Sequence, residues 1–284
     1  MSGSARDPSA PRIAVAGAGG RMGRALIDAM LEADDLVLSG ALDVPQSPDI
    51  GIDAGERSGR ATGVPITSDV AAALADADVL IDFTRPAGTL AHLAQCAKAR
   101  VGAVIGTTGF DDAGKAEIAE RSRTIPIVFA ANMSVGVNVL ADLVQRAAML
   151  LGPAFDIEIL EMHHRHKVDA PSGTALALGE AAAAGAGVPL REHAVYARQG
   201  ATGERKAGAI GFATLRGGDV VGEHTVVFAG AGERVELTHR ATSRRNFATG
   251  ALRAARFVVE HRARGEHGLF DMADVLGIRE SKSR

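Results

Sequence analysis

A short apolar run at residues 12–16 passes directly into Gly17-Ala18-Gly19-Gly20-Arg21-Met22-Gly23, and that turn into the helical pattern Arg24-Ala25-Leu26-Ile27-Asp28-Ala29-Met30-Leu31. Strand, glycine turn and helix in immediate succession constrain the fold more than any other stretch. The glycines permit a tight reversal and close packing of helix on strand, which is how a parallel sheet with helical crossovers begins. Further apolar runs recur at residues 36–38, 79–83, 101–105 and 125–129, and the longer gaps between them carry Ala/Leu-rich helical patterns. Unbroken hydrophobicity in Val79-Leu80-Ile81 and Ala103-Val104-Ile105 suits strands covered by helices on both faces.

These features predict an α/β fold, a Rossmann-like doubly wound parallel sheet, over residues 1–134, with residues 1–10 as a Ser/Gly/Ala/Pro-rich flexible tail. After Asn132 the pattern changes. A helix over residues 137–151 leads into a strand at 156–161, and strands at 194–197, 210–215, 223–228 and 234–239 follow between glycine turns. They predict a second α+β domain with a mixed sheet, residues 135–244. Residues 246–262 read as an amphipathic helix with Phe247, Leu252, Ala255, Phe257 and Val258 as candidate core positions, so 245–284 returns to the first domain. The alanine-rich stretch 181–186 has too little bulk for a core of its own and reads as a helix end.

The glycine turn is where a dinucleotide pyrophosphate meets a helix N-terminus, although its spacing is G-x-x-G-x-x-G and not the commoner G-x-G-x-x-G. The competing reading is a turn needed only for helix–strand packing. Asp43, just after the second strand, is placed to accept from adenosine ribose hydroxyls and to repel a 2′-phosphate, so NADH is expected over NADPH; Arg21 offsets part of that repulsion. Three more clusters fall at the C-terminal ends of strands, where open α/β sheets bind ligands: Phe83-Thr84-Arg85-Pro86, Gly106-Thr107-Thr108-Gly109-Phe110 and Ala130-Ala131-Asn132-Met133-Ser134. Together they predict a cofactor trough with its nicotinamide end near Gly106 to Thr108 and Ala130 to Met133.

The segment Glu161-Met162-His163-His164-Arg165-His166-Lys167-Val168-Asp169-Ala170-Pro171-Ser172-Gly173-Thr174-Ala175 sets imidazoles and a lysine directly ahead of a helix start. Such groups transfer protons near neutral pH, and backbone N–H groups at a helix start hold carboxylate or phosphate. An anion that must also be protonated fits this pattern. A solvated basic loop is the bland alternative. No metal is expected, because the histidines lack the separated ligand pairs of zinc sites and Arg165 and Lys167 would repel a cation.

With 284 residues, 46% hydrophobic and 23% charged, and a formal charge of -3, the chain carries no nucleic-acid footprint. Small-molecule partners are expected. The single cysteine, Cys96, lies in an apolar run and has no internal disulfide partner, which fits packing in a reducing, cytoplasmic compartment. No secretory signal pattern opens the chain, and no stretch approaches the roughly 18 consecutive apolar residues of a membrane span.

The motifs Val15-Ala16-Gly17-Ala18-Gly19-Gly20-Arg21-Met22-Gly23, Asp82-Phe83-Thr84, Gly106-Thr107-Thr108-Gly109, Asn132-Met133-Ser134-Val135-Gly136-Val137-Asn138 and the basic segment resemble those of the dihydrodipicolinate (4-hydroxy-tetrahydrodipicolinate) reductases across nearly the whole chain. The resemblance implies an NADH- or NADPH-dependent reduction of a cyclic dicarboxylate in the diaminopimelate route to lysine, with closure between two domains and a homotetramer built through the second. It further implies His163 and Lys167 as the proton-transfer residues and His164, Gly173 and Thr174 as substrate contacts. On the cofactor side it implies Gly17, Ala18, Gly19, Gly20, Arg21, Met22, Asp43, Arg85, Gly106, Thr107, Thr108, Ala130, Ala131, Asn132 and Met133. Where the family often carries Glu-Arg after the second strand, this chain has Asp43-Val44, which again points to NADH. Another amino-acid or semialdehyde dehydrogenase, or a non-catalytic dinucleotide sensor, are the rival readings; a sensor has no use for two proton-transfer groups beside an anion site.

Overall fold

The structure is a computed structural model and describes residues 10–278. Residues 1–9 of the expected tail lie outside the described residues. The tail does not extend to Ala10, which is buried just ahead of the first strand.

Two compact units form: one takes the chain up to Ser134 and again from Arg245, the other is Val135–Arg244. The first unit begins with β1 (Arg12–Ala16), α1 (Arg21–Leu31), β2 (Val37–Leu42), β3 (Ile66–Thr67) and α2 (Val70–Leu74). It continues with β4 (Val79–Asp82), α3 (Pro86–Ala99), β5 (Gly102–Ile105), α4 (Asp112–Arg121) and β6 (Pro126–Phe129). The second unit holds α5 (Val135–Leu151), β7 (Asp156–His163), α6 (Gly173–Ala186), α7 (Leu190–His193), β8 (Ala194–Val195), β9 (Ile210–Arg216), β10 (Gly222–Ala229) and β11 (Arg234–Ala241). The chain then returns to the first with α8 (Arg245–Ala263), β12 (Gly268–Phe270) and α9 (Met272–Leu276).

The first sheet is parallel, in the order β12-β6-β5-β4-β1-β2-β3, so the α/β reading holds. Its central strands β4 and β5 are buried along their whole length, as a sheet covered on both faces requires. Helix starts are set by local chemistry: the carboxylates of Asp69 and Asp111 accept from the first-turn N–H groups of α2 and α4, and Asp271 with Asp274 closes a capping box on α9. Helix α8 covers the sheet through Ala248, Ala251, Leu252, Ala255 and Val258. Phe247 and Phe257, expected in that core, are only half-buried; Phe257 instead packs against His261 and Phe270 at 4.0 and 5.1 Å between ring centroids. Cys96 is fully buried, and burial pushes its thiol up to about 12, so it packs as a small hydrophobe.

The second sheet is mixed, in the order β11-β10-β7-β9-β8, with β7, β9 and β8 parallel and the β10 pairs antiparallel. One face, carrying Ile157, Ile159, Phe212, Val226 and Phe228, packs on α5 and α6. The small Ala182 and Ala183 let those helices approach closely. On the opposite face stand Leu160, Met162, Leu215 and Val227, open or half-open, with Met162 and Leu215 paired in register. Residues 135–154 are more apolar than the sequence reading credited: their mean hydropathy of 1.3 suffices, by length and composition, for a membrane span. Asn138, Asp142, Gln145 and Arg146 break the run of consecutive apolar residues yet, at helical spacing, gather on one face, while Val137, Leu140, Val144 and Ala148 face the core of the unit.

Candidate functional site

In the first unit the chain turns at Gly17, whose φ of +70° belongs to the left-handed region that favours glycine, and Gly20 N–H donates back to the Gly17 carbonyl at 2.9 Å. Helix α1 starts next with Gly20 as its N-cap, no side chain capping it and no acid in its first turn. Its N–H groups are thereby left for another acceptor. They open on a cavity of about 880 Å³ whose wall includes Gly17, Gly20, Arg21, Met22, Asp43 and Arg85. Asp43 accepts from Gly19 N–H at 2.8 Å and Val44 N–H at 2.8 Å, which fixes its carboxylate at the end of the glycine turn. An uncapped helix start, two arginines and a fixed carboxylate together fit a dinucleotide.

The remaining expected cofactor residues stand outside the walls of that cavity. Ala18 is buried under the turn. Gly106 N–H donates to the Asp82 carbonyl at 2.9 Å, Thr108 is exposed, and Thr107 turns inward to Thr89 at 2.8 Å between hydroxyls. After β6, Ala130 N–H donates to Ile105, Ala131 is exposed, Asn132 accepts from Ser134 N–H at 2.8 Å, and Met133 is buried. Asp82 was read only as part of a motif; its burial and its partners were not legible, and it holds His92 Nδ1 at 2.8 Å and Thr84 Oγ1 at 2.6 Å. Burial works to raise its carboxyl, but the hydrogen bonds from His92 and Thr84 hold it below the ordinary value.

In the second unit β7 alternates outward and inward side chains and ends by pointing Glu161 and His163 to the covered face. Glu161, 1% exposed, accepts from His163 Nδ1 at 2.6 Å and from both Nη atoms of Arg216 on β9, at 2.8 and 2.9 Å. Burial opposes its charge, yet the hydrogen bonds from Arg216 and His163 hold its carboxyl below the ordinary value. Burial is also the main cause that lowers His163; Glu161 works against that, while the charges of Lys167 and Arg216 add to it. Lys167 Nζ is 2.9 Å from Asp169 Oδ1, in the loop between β7 and α6. His164 is anchored by its N–H to the Val220 carbonyl at 2.7 Å, and its Nδ1 accepts from His166 N–H at 3.2 Å; Arg165 and His166 point to solvent.

That loop delivers the chain to Ser172, the N-cap of α6, whose Oγ accepts from Ala175 N–H at 3.1 Å and lies 3.0 Å from His224 Nε2. Gly173, first residue of the helix, is exposed and Thr174 half-buried. His224 is 4% exposed, and burial, with the nearby His163, takes it down to about 4. Glu161, Ser172, Arg216 and His224 were not singled out from the sequence. Glu161 and Ser172 lie inside the motif, but Arg216 and His224 reach it only through strand pairing.

Both halves of the chain match one family. A family model described as dihydrodipicolinate reductase, N-terminus, matches residues 11–133, and one described as dihydrodipicolinate reductase, C-terminus, matches residues 136–276. The chain belongs to the dihydrodipicolinate reductase family. The resemblance read from its motifs is thereby borne out. The 4-hydroxy-tetrahydrodipicolinate reductase of Dechloromonas aromatica (strain RCB) is 60% identical over 271 residues, 95% of this chain and 100% of that protein. That of Cupriavidus necator is 60% identical over 267 residues, covering 94% and 99%. Among solved structures, dipicolinate-bound dihydrodipicolinate reductase from Paenisporosarcina sp. TG-14 superposes with a TM-score of 0.72 at 23% identity, covering 93% of this chain and 98% of that one, so the fold is shared.

Proposed function

We propose that the protein reduces 4-hydroxy-tetrahydrodipicolinate to tetrahydrodipicolinate with NADH or NADPH, in the diaminopimelate route to lysine. Relatives that are 60% identical over almost their whole length and carry that activity in their names support the reading. The observation that carries it here is the buried Glu161–His163 pair set one loop ahead of the α6 start, with Lys167 in that loop. The uncapped start of α1, Arg21 and Arg85 would hold the pyrophosphate and Asp43 the adenosine ribose, with Gly106 to Thr108 and Ala130 to Met133 toward the nicotinamide. A nicotinamide bound there would supply a hydride. The ring gains that hydride and a proton and loses its hydroxyl as water.

The residues of the second unit do the rest. The N–H groups of Gly173 and Thr174 at the α6 start, with His164, bind a ring carboxylate. Lys167 Nζ pairs with the substrate anion and delivers the proton. His163, neutral near pH 7 because burial lowers it, exchanges a proton at its ring. NADH is the preferred cofactor, since Asp43 would face a 2′-phosphate and Val44 adds no compensating charge. Leu160, Met162, Leu215 and Val227 on the open sheet face offer a surface for a second copy of the chain, which supports a homotetramer. The buried, unpaired Cys96 supports a cytoplasmic setting.

The test is nicotinamide absorbance with purified protein and the ring substrate made in situ from pyruvate and aspartate semialdehyde by the preceding synthase. Oxidation only with all components present, faster with NADH, is expected. No oxidation with either cofactor from folded protein would return the weight to the other dehydrogenases or the sensor, and a strong NADPH preference would overturn the role of Asp43.

A further inference from the structure

Glu161 does more than neighbour His163. Besides Arg216 and His163, its carboxylate accepts from Ser172 N–H at 3.1 Å and Thr214 Oγ1 at 3.3 Å. Arg216 in turn donates from Nη2 to the Asp169 carbonyl at 2.7 Å, so the same guanidinium grips the loop that carries Lys167. One buried ion pair therefore touches the end of β7, the Lys167 loop and the start of α6. On the other side of the His163 ring stands Gly222 of β10, where a Cβ would come within 2.9 Å of Nε2 and 3.3 Å of Cδ2.

We propose that Arg216 and Glu161 act as a single positioning pair that keeps the His163 proton on Nδ1 and ties the Lys167 loop to the same carboxylate, leaving Nε2 as the proton-exchanging atom that Gly222 keeps accessible. The inference deepens the proton-transfer reading given above and rests on it. An ionised carboxylate can only accept, so the nitrogen facing it must carry hydrogen in both charge states of the imidazole. A carboxylate this buried would take up a proton itself if it lost its cation, and a protonated Glu161 would donate to Nδ1 and drive the ring proton to Nε2. The planar fork of Arg216 prevents this by occupying both oxygens, which the point charge of a lysine does not do. The charged and titratable groups facing His163 are Glu161 on its own strand, Lys167 in the following loop, Arg216 on β9 and His224 on β10, whose ring centroid is 5.1 Å away. Only Glu161 among them favours the imidazolium. Replacing Glu161 by a neutral amide therefore moves the titration of His163 to lower pH. It also turns an amide donor toward Nδ1, because Arg216 claims the remaining oxygen.

The experiment is 15N NMR of histidine-labelled full-length protein, with pH profiles of kcat, for wild type, Glu161→Gln and Gly222→Ala. Wild type is expected to show His163 as the Nδ1–H tautomer above its pKa. Glu161→Gln should show the Nε2–H tautomer, a kcat lower by about tenfold or more, an acid limb displaced to lower pH, and an unchanged cofactor Kd. Gly222→Ala should lower kcat with the tautomer unchanged. A wild-type Nε2–H tautomer, or a Glu161→Gln enzyme that keeps both the wild-type tautomer and the wild-type pH limb, overturns the proposal, and a merely structural role for Glu161 predicts the latter. A flipped tautomer with wild-type kcat supports the positioning pair and overturns instead the proton-transfer role of His163. If Glu161→Gln does not fold, Arg216→Lys, which keeps the charge without the fork, carries the same comparison.

Discussion

At the scale of single residues the buried polar side chains of the second unit gather around Glu161: His163, Ser172 and His224. Lys167 is held within the loop between β7 and α6 by Asp169 and stands close enough for its charge to lower His163. Lys167→Ala is expected to lower kcat by a factor on the order of a hundred, the range general acid catalysis supplies; steady-state turnover near wild type would remove that role. His224 offers a stability test. Its folded-state pKa of about 4 lies below the ordinary 6.5, so on acidification the unfolded chain takes up the proton first and the folded state loses stability as pH falls through that window. This one ring should lower stability by up to about 3 kcal/mol as the pH falls from 6.5 to about 4. His224→Gln, whose amide can still hydrogen-bond Ser172, should flatten the slope in urea titrations across that range, and equal slopes would show that His224 does not titrate in this way. The cationic and glycine-bearing members of this site were legible because they are adjacent in sequence. Arg216 and His224 were not, since a lone Arg or His on a strand carries no local signal until register brings it beside Glu161 or Ser172.

At the scale of elements, long regular patterns were readable and short ones were not. β1, β4, β5 and β6 announce themselves by unbroken apolar runs, and α5 and α8 by helical periodicity. The edge strands β3 and β12, two and three residues long, have no periodicity to read and exist because they complete a ladder beside β2 and β6. Helix α8 was placed correctly, and Leu252, Ala255 and Val258 are buried as expected, but small residues (Ala248, Gly250, Ala251, Ala254) take the place of the two phenylalanines, because the helix backbone packs closely on its neighbours. Gly250 shows this most sharply: a Cβ there would collide with the Met133 carbonyl. Gly250→Ala should cost about 1–3 kcal/mol in chemical denaturation by overpacking, and an unchanged midpoint would mean that α8 shifts freely on the sheet.

At the scale of the whole molecule, each unit supplies one half of a reductase. The first ends its parallel strands at an uncapped helix start beside a large cavity, and the second ends β7 at a buried acid–base pair. One face of the second sheet packs on α5 and α6, and the other carries Leu160, Met162, Leu215 and Val227, exposed or half-exposed. Leu160→Glu should convert the proposed tetramer into smaller species in light-scattering chromatography at micromolar protein; an unchanged mass would put the assembly surface elsewhere. The most direct test of the central claim is product analysis by mass spectrometry after turnover with NADH dideuterated at C4 of its nicotinamide and substrate made in situ. The account predicts tetrahydrodipicolinate carrying a single deuterium from wild type and about a hundredfold less of it, per unit time, from Lys167→Ala. Product without deuterium, or no product from folded protein, would contradict hydride transfer to the ring as the function of this chain.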